Sequence, residues 1–168
     1  PKNIAGLMLS GIISDTLLLS SPTTTDIDRT VLKELSKIAG VDYKSYGMEM
    51  FKAGSSIKGK STEEIIYGDF KNFNVDNQKI GIGQISTMNT EEIMGKKDEF
   101  VSVLNTIAKN EGYVVIALFV TDILKNGSHI LYNENAFDIV ANSFDADNLS
   151  EGLFLDGVVS RKKQIVPK

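Results

Sequence analysis

Between Ile4 and Leu19 the apolar residues Ile4, Leu7, Met8, Ile12 and Ile13 recur at helical spacing. This predicts a core helix, with Gly6 and Gly11 leaving room for a neighbouring element to approach. The apolar run continues through Leu17, Leu18 and Leu19 to Ser20, Ser21 and Pro22, and the pre-proline residue is biased away from helix, so the element ends there. Thr23, Thr24 and Thr25 then offer an N-cap, and Asp26 and Asp28 fall in a first turn where carboxylates favour the helix dipole. A second helix over 26–39 follows, stopped by Gly40, and a third over 41–53 draws apolar bulk from Tyr43, Tyr46, Met48 and Met50.

The stretch from Gly54 to Ser61 is rich in Gly, Ser and Lys and reads as a linker. It divides a helical segment, 1–54, from a second domain, 62–168, with 55–61 between them. After a helical turn over 62–66 the pattern changes to period two: Phe70, Phe73 and Val75, then Ile80, Ile82 and Ile85 beyond the turn signal Asp76-Asn77. That is a strand pair. The helical period returns over 90–109 through Ile93, Phe100, Val101, Leu104, Ile107 and Ala108, with Thr90 as its cap. Residues 113–120 form a continuous β-branched and aromatic run, the mark of a strand buried on both faces, and Asn126-Gly127 turns the chain into another strand near 129–132. A short helix over 135–144, an apolar patch at 153–155 and a basic tail complete the chain. The fold class is therefore α/β: N-terminal helices, then a mixed β-sheet domain flanked by helices.

Composition narrows what such a fold can do. The chain has 168 residues, 42% hydrophobic and 24% charged, with no cysteine, which excludes a disulfide scaffold, a thiolate metal site and a disordered tail. Cysteine absence is compatible with the cytoplasm. A net charge of -4 argues against nucleic-acid binding, so any anion site must be local. The apolar stretch near the start is interrupted by Gly6, Ser10, Gly11, Ser14, Asp15 and Thr16 and is too short to span a membrane. It also lacks the basic start and cleavage site of a signal peptide, and a chain opening at Pro1 directly into such an element reads as a piece of a longer one.

A few positions could carry chemistry. Asp15 lies within an apolar run, and an ionised carboxylate withdrawn from water costs several kcal/mol unless it is compensated. Residue pattern alone leaves two readings open, a carboxylate at an exposed helix end or a metal ligand that needs partners from elsewhere. Arg161, Lys162 and Lys163 form a cationic cluster just after the small residues Gly157 to Ser160. They could cradle a polyanion, arginine as a planar fork and lysines as point charges, or form a solvated terminus. Val158, Val159, Ile165 and Val166 bracket the cations, which predicts an anchored loop. Lys58 and Lys60 are either solubilising linker residues or part of a hinge that closes over an anion. His129 is the only histidine and reads as a structural or surface residue, and its solitude leaves no internal zinc cluster and no Ser-His-Asp set. Gly54 with Gly59-Lys60-Ser61 makes only a weak match to a nucleotide-binding loop, because the segment follows a helix rather than a strand.

Three segments carry a resemblance over essentially the whole chain. Ile4-Ala-Gly-Leu-Met-Leu-Ser-Gly-Ile-Ile-Ser-Asp-Thr-Leu-Leu-Leu-Ser-Ser-Pro-Thr-Thr-Thr25, Ile38-Ala-Gly-Val-Asp42 and Gly157-Val-Val-Ser-Arg-Lys-Lys-Gln-Ile-Val-Pro167 resemble family II, manganese-dependent inorganic pyrophosphatase, of the DHH phosphoesterase superfamily. That family has an N-terminal DHH domain with a two-metal centre and a C-terminal DHH-associated domain with much of the phosphate site. The resemblance implies that Asp15 is a Mn2+ ligand and that Lys60, Arg161 and Lys162 bind substrate phosphate. It implies hydrolysis of pyrophosphate by two-metal activation of water in the intact protein, with homodimerisation open. The family's metal-ligand motifs are missing: no Asp-His-His occurs, and Asp26 and Asp28 show no metal-loop spacing, so the chain corresponds to the C-terminal part, lacks a complete catalytic set and is expected to be inactive without the missing DHH domain. A DHH-type exopolyphosphatase or nucleotide phosphoesterase, and a non-catalytic anion-binding module, are the alternatives.

Overall fold

The computed structural model describes residues 1–144 and 152–168. The chain forms two compact units, Pro1–Ser56 and Ile57–Lys168.

The first unit consists of α1 (Lys2–Thr16), α2 (Asp26–Ala39) and α3 (Tyr43–Gly54). The caps of the second helix are those the sequence predicts: Thr25 and Asp28 form a reciprocal capping box, and Gly40 ends the helix in the left-handed region. Asp42 caps α3 through the Ser45 amide. The buried face of α1 is not the expected one. Ala5, Leu9, Ile13 and Thr16 are buried, whereas Leu7 is 70% exposed and Ile4 and Met8 are exposed beside it. Nearly every position of this helix is apolar or small, so spacing selects no face, and packing against α2 and α3 makes the choice. Gly6 and Gly11 likewise face open space rather than a close neighbour. Close approach occurs instead at Gly47 of α3, where a Cβ would stand 2.7 Å from the Leu18 side chain.

The second unit holds α4 (Thr62–Tyr67), β1 (Phe70–Val75), β2 (Gln78–Thr87), α5 (Glu91–Met94), α6 (Lys97–Glu111), β3 (Tyr113–Asp122), β4 (Gly127–Tyr132), α7 (Phe137–Ser143) and β5 (Phe154–Asp156). The single helix expected over 90–109 is two, broken at Gly95 and Lys96. The strands form one five-stranded sheet in the order β1-β2-β3-β4-β5. Only β2 and β3 run parallel, through the α5–α6 crossover; the other pairs are antiparallel, so the sheet is mixed as expected. Asp76 and Asn77 both take positive φ in the β1–β2 hairpin, matching the twist that a two-residue turn requires.

The continuous apolar run of β3 reflects burial on both faces. Ile116, Leu118 and Val120 pack with Ile65 and Ile66 of α4 and Phe100, Leu104 and Ile107 of α6. Val115, Ala117 and Phe119 point the other way and pack with Ile130, Tyr132, Val140 of α7 and Ile165 near the C-terminus. Gly83 of β2 allows α4 to lie close, since a Cβ there would meet the Ile66 carbonyl oxygen at 2.7 Å.

A polar clasp joins the end of α4 to the end of α6. The Tyr67 hydroxyl donates to Glu111 Oε1 at 2.6 Å, and Lys79 lies 3.5 Å from the other oxygen of the same carboxylate while covering the Tyr113 ring. The Tyr67 hydrogen bond, then Lys79, hold the Glu111 carboxyl below its ordinary value, while burial and the facing carboxylate push the Tyr67 phenol up. A depressed folded-state carboxyl contributes stability that is present above its unfolded value and lost as pH falls through the folded one. Tyr67→Phe should therefore lower the urea midpoint more at about pH 6 than at about pH 3. Equal losses at both pH values, measured by fluorescence or circular dichroism, would remove this account of the clasp.

Candidate functional site

The cationic cluster is built into the sheet domain. After Gly157, which takes positive φ, the chain crosses the face of the sheet that also carries α7 and closes a π-helical turn, Arg161–Ile165. Val159 and Ile165 are buried on either side of the cations, so the loop is anchored as the sequence predicts. Polar side chains set its backbone. Gln84 of β2 donates to the Val159 carbonyl at 2.9 Å, and Ser128 of β4 donates to the Val158 carbonyl at 2.6 Å. Thr121 of β3 joins the two, bonded to Gln84 at 2.9 Å and to Ser128 at 2.9 Å. Gln164 closes the loop on itself: its Oε1 accepts from the Val159 and Ser160 amides, both at 3.0 Å, and its Nε2 donates to the Gly157 carbonyl at 2.7 Å. Ser160 caps the turn by accepting from the Lys163 amide.

Arg161 leaves this turn toward the β1–β2 edge of the sheet. Its Nη1 donates to the Asp69 carbonyl at 2.7 Å and, more weakly, to the Ile82 carbonyl at 3.4 Å. Its Nη2 donates to Asp69 Oδ1, also at 2.7 Å. The side chain is only 15% exposed. Lys162, next in the turn, is exposed and has no partner among the described residues.

Lys60 belongs to the same unit but is not bonded to the cluster. Its amide donates to the Ile57 carbonyl at 3.1 Å, closing a turn in which Gly59 supplies the positive φ, and Ile57 is buried in the core. Ser61 then caps α4 through a capping box with Glu64. Lys58 and Lys60 thus project from an anchored turn rather than from a loose linker, and both side chains are exposed. Lys60 and Asp69 stand at opposite ends of α4, whose six residues rise about 9 Å.

Asp15 lies in the first unit, on the last turn of α1, and it is exposed. It is not withdrawn from water, because its neighbours Ile13 and Thr16 turn inward while Asp15 turns out. Its carboxylate meets the unfavourable end of the helix dipole and has no side-chain partner among the described residues. Directly after it Leu17, Leu18 and Leu19 all take positive φ, an arrangement costing roughly 1–2 kcal/mol per residue. Bonds from the Leu18 amide to the Ile13 carbonyl and from the Leu19 amide to Thr16 Oγ1 hold this left-handed turn, and Thr23 Oγ1 donates to the Asp15 carbonyl. Among the described residues no cluster of three or more His, Asp or Glu side chains could hold a metal.

His129 is structural, as the sequence suggests: Nδ1 bonds the Gly152 carbonyl at 2.8 Å and the ring packs on Phe154. Sequence reasoning missed Asp69 and the supports Gln84, Thr121 and Ser128. Gln164 stood within the Ser-Arg-Lys-Lys-Gln motif but had no assigned role.

Residues 48–168 match the DHHA2 domain. The chain belongs to the DHHA2 domain family. The match begins inside α3, so it takes in the later part of the last helix of the first unit as well as the sheet domain. A relative from Lactobacillus delbrueckii subsp. bulgaricus, named "Probable manganese-dependent inorganic pyrophosphatase", is 46% identical over 99% of this chain and 54% of its own length. A manganese-dependent inorganic pyrophosphatase from Methanocaldococcus jannaschii is 44% identical over 98% of this chain and 54% of its own length. A crystal structure from Methanococcus jannaschii, assigned as a family II inorganic pyrophosphatase, superposes with a TM-score of 0.89 at 43% identity, covering 99% of this chain and 54% of that one. The chain thus spans about half the length of the curated relatives it matches. No helix among the described residues of this DHHA2-containing chain is long and apolar enough to cross a membrane.

Gln164 is the keystone of the DHHA2 basic turn, and Gln164→Ala should cost about 1–3 kcal/mol by stranding two amides and a carbonyl. Hydrogen exchange at Val159 and Ser160 should accelerate with little change in β3; unchanged exchange there would show that the turn is held without Gln164.

Proposed function

We propose that this chain is the phosphate-gripping half of a manganese-dependent inorganic pyrophosphatase. The observation that carries the reading is the anchored Ser160–Gln164 turn, which presents Arg161 and Lys162 on a fixed backbone in a chain of net charge -4. The names of the relatives supply the substrate and the metal. In this reading residues 62–168 are the DHH-associated domain, 1–54 the helical end of a DHH domain, and 55–61 the connection between them. Arg161 takes phosphate oxygens with its planar fork, Lys162 and Lys60 add exposed point charges, and together they neutralise charge that grows on the phosphates as the anhydride breaks. In this reading the intact enzyme works in the cytoplasm and takes pyrophosphate rather than nucleic acid as its anion.

The described residues do not fit a complete manganese site. Asp15 offers one carboxylate, exposed and unpartnered at a strained turn, and a divalent ion requires several more ligands. In this reading Asp15 is one ligand of a centre completed by residues outside this chain. Bound metal would acidify a water and polarise a phosphoryl oxygen, chemistry that this chain does not assemble alone. The chain by itself should therefore bind pyrophosphate without hydrolysing it.

Calorimetric titration with imidodiphosphate at low salt tests the phosphate site. Wild type should bind, Arg161→Ala should lose at least about tenfold in affinity, and Arg161→Lys should recover only part of it, because a point charge cannot replace the fork. Equal binding by wild type and Arg161→Ala would overturn the assignment of Arg161. Manganese-dependent hydrolysis by the pure chain would overturn the division of labour.

A further inference from the structure

We propose that Asp69 is a positioning residue for Arg161: it clamps one edge of the guanidinium and leaves the other edge set for an oxyanion. A guanidinium has two edges that can each meet two oxygens, the Nη1/Nη2 end and the Nε/Nη2 side. Asp69 occupies the end edge completely, its carbonyl on Nη1 and its carboxylate on Nη2, each at 2.7 Å. The remaining Nη1 proton points toward the Ile82 carbonyl at 3.4 Å. Among the described residues nothing accepts from Nε or from the second Nη2 proton. Nε is not sealed in the protein either: among the described residues the only fully buried side-chain nitrogen or oxygen without a partner is Thr24 Oγ1. The side edge of Arg161 therefore carries its two unpartnered donors, with Nε reached by solvent, and it has the geometry to take two oxygens of one phosphoryl group.

Asp69 is fitted to this role by its place in the fold. Its carbonyl also accepts from the Gln84 amide at 2.9 Å, extending the β1–β2 ladder, so the clamp is fixed to the sheet. Gln84 in turn holds the Val159 carbonyl through its side chain. The same residue of β2 therefore touches the clamp through its backbone and the basic turn through its side chain, setting their spacing. Arg161, 92 positions along the chain from Asp69, is held at both its backbone and its guanidinium end. The Asp69 side chain is 56% exposed, so its charge is screened by water on its outer side and subtracts little from the attraction for an anion on the opposite edge.

The proposal rests on the phosphate-binding reading, and its test separates the two. Asp69→Asn keeps the carbonyl that joins the ladder and removes only the carboxylate charge. In calorimetric titration of the full chain with imidodiphosphate, Asp69→Asn should weaken binding roughly three- to tenfold in the wild-type background. In an Arg161→Ala background the same change should leave affinity within about twofold or improve it, since only repulsion is then removed. In 15N-edited spectra of Arg161, wild type should show separate, slowly exchanging Nη protons, and these should merge in Asp69→Asn. Imidodiphosphate should shift the Nε proton in wild type. Tighter or equal binding by Asp69→Asn would overturn the proposal and make Asp69 a competitor of the anion. An equal loss in both backgrounds would overturn it too, as an effect transmitted through the fold. If imidodiphosphate moves no Arg161 signal in wild type, the phosphate reading fails. The clamp then stands or falls on whether Asp69→Asn merges the Nη protons.

Discussion

β3 is buried on both faces, and the sheet domain is organised by that fact. One face is taken by α4 and α6, the other by α7 and the C-terminal turn, so from Val115 to Val120 the strand alternates between two cores at every residue. A strand in that position cannot carry a charge along its middle without a large desolvation cost, which is why Tyr113 to Val120 contains no ionisable group except the terminal phenol. Polar residues return only toward its carboxyl end, at Thr121 and Asp122, and they are buried with their bonds made. Thr121 bridges to the loop that carries the cations, while Asp122 accepts from the amides of the following turn. The basic turn thus lies toward the carboxyl ends of the one parallel pair in the sheet, where open α/β sheets gather their ligands.

The cations need this support because their surroundings are acidic overall. A flexible basic tail on a chain of net charge -4 would be screened and diffuse, whereas a turn fixed by Gln164, Ser160 and Gln84 concentrates its charge at one place. Arg161 shows the same economy at the level of one side chain: three of its five N–H donors order it, and two are left without a partner among the described residues. The helical unit treats Asp15 differently. It holds that carboxylate on an exposed last turn and secures the strained leucines after it with backbone bonds and Thr16, rather than with a countercharge.

Several elements are legible in the chain because their signals are local. The Thr25 capping box, the Gly40 stop, the Asp76-Asn77 hairpin and the apolar run of β3 each express a backbone preference or a burial pattern that a few consecutive residues carry alone. The break at Gly95 was less visible, since apolar spacing continues across it from Ile93 to Phe100 and only glycine marks the interruption. The inward face of α1 was not legible at all. Its residues are apolar all round, so Leu9 and Leu7 look alike until α2 and α3 cover one of them. For Asp15 the sequence left an exposed helix end and a metal ligand both open, and only the helix's orientation shows that its apolar neighbours in sequence turn away from it in space.

By itself the sequence determined the order of the elements, the mixed α/β class and the cationic cluster bracketed by anchoring valines and isoleucine. These follow from periodicity, turn chemistry and composition, each of which acts over a few residues. Tertiary structure alone decided which cations are held and how. The Arg161 partner lies 92 positions away, and the three side chains that support the loop come from three different strands. No local rule joins such residues, because the parallel β2–β3 crossover and the long return to the C-terminus bring them together only once the sheet has formed.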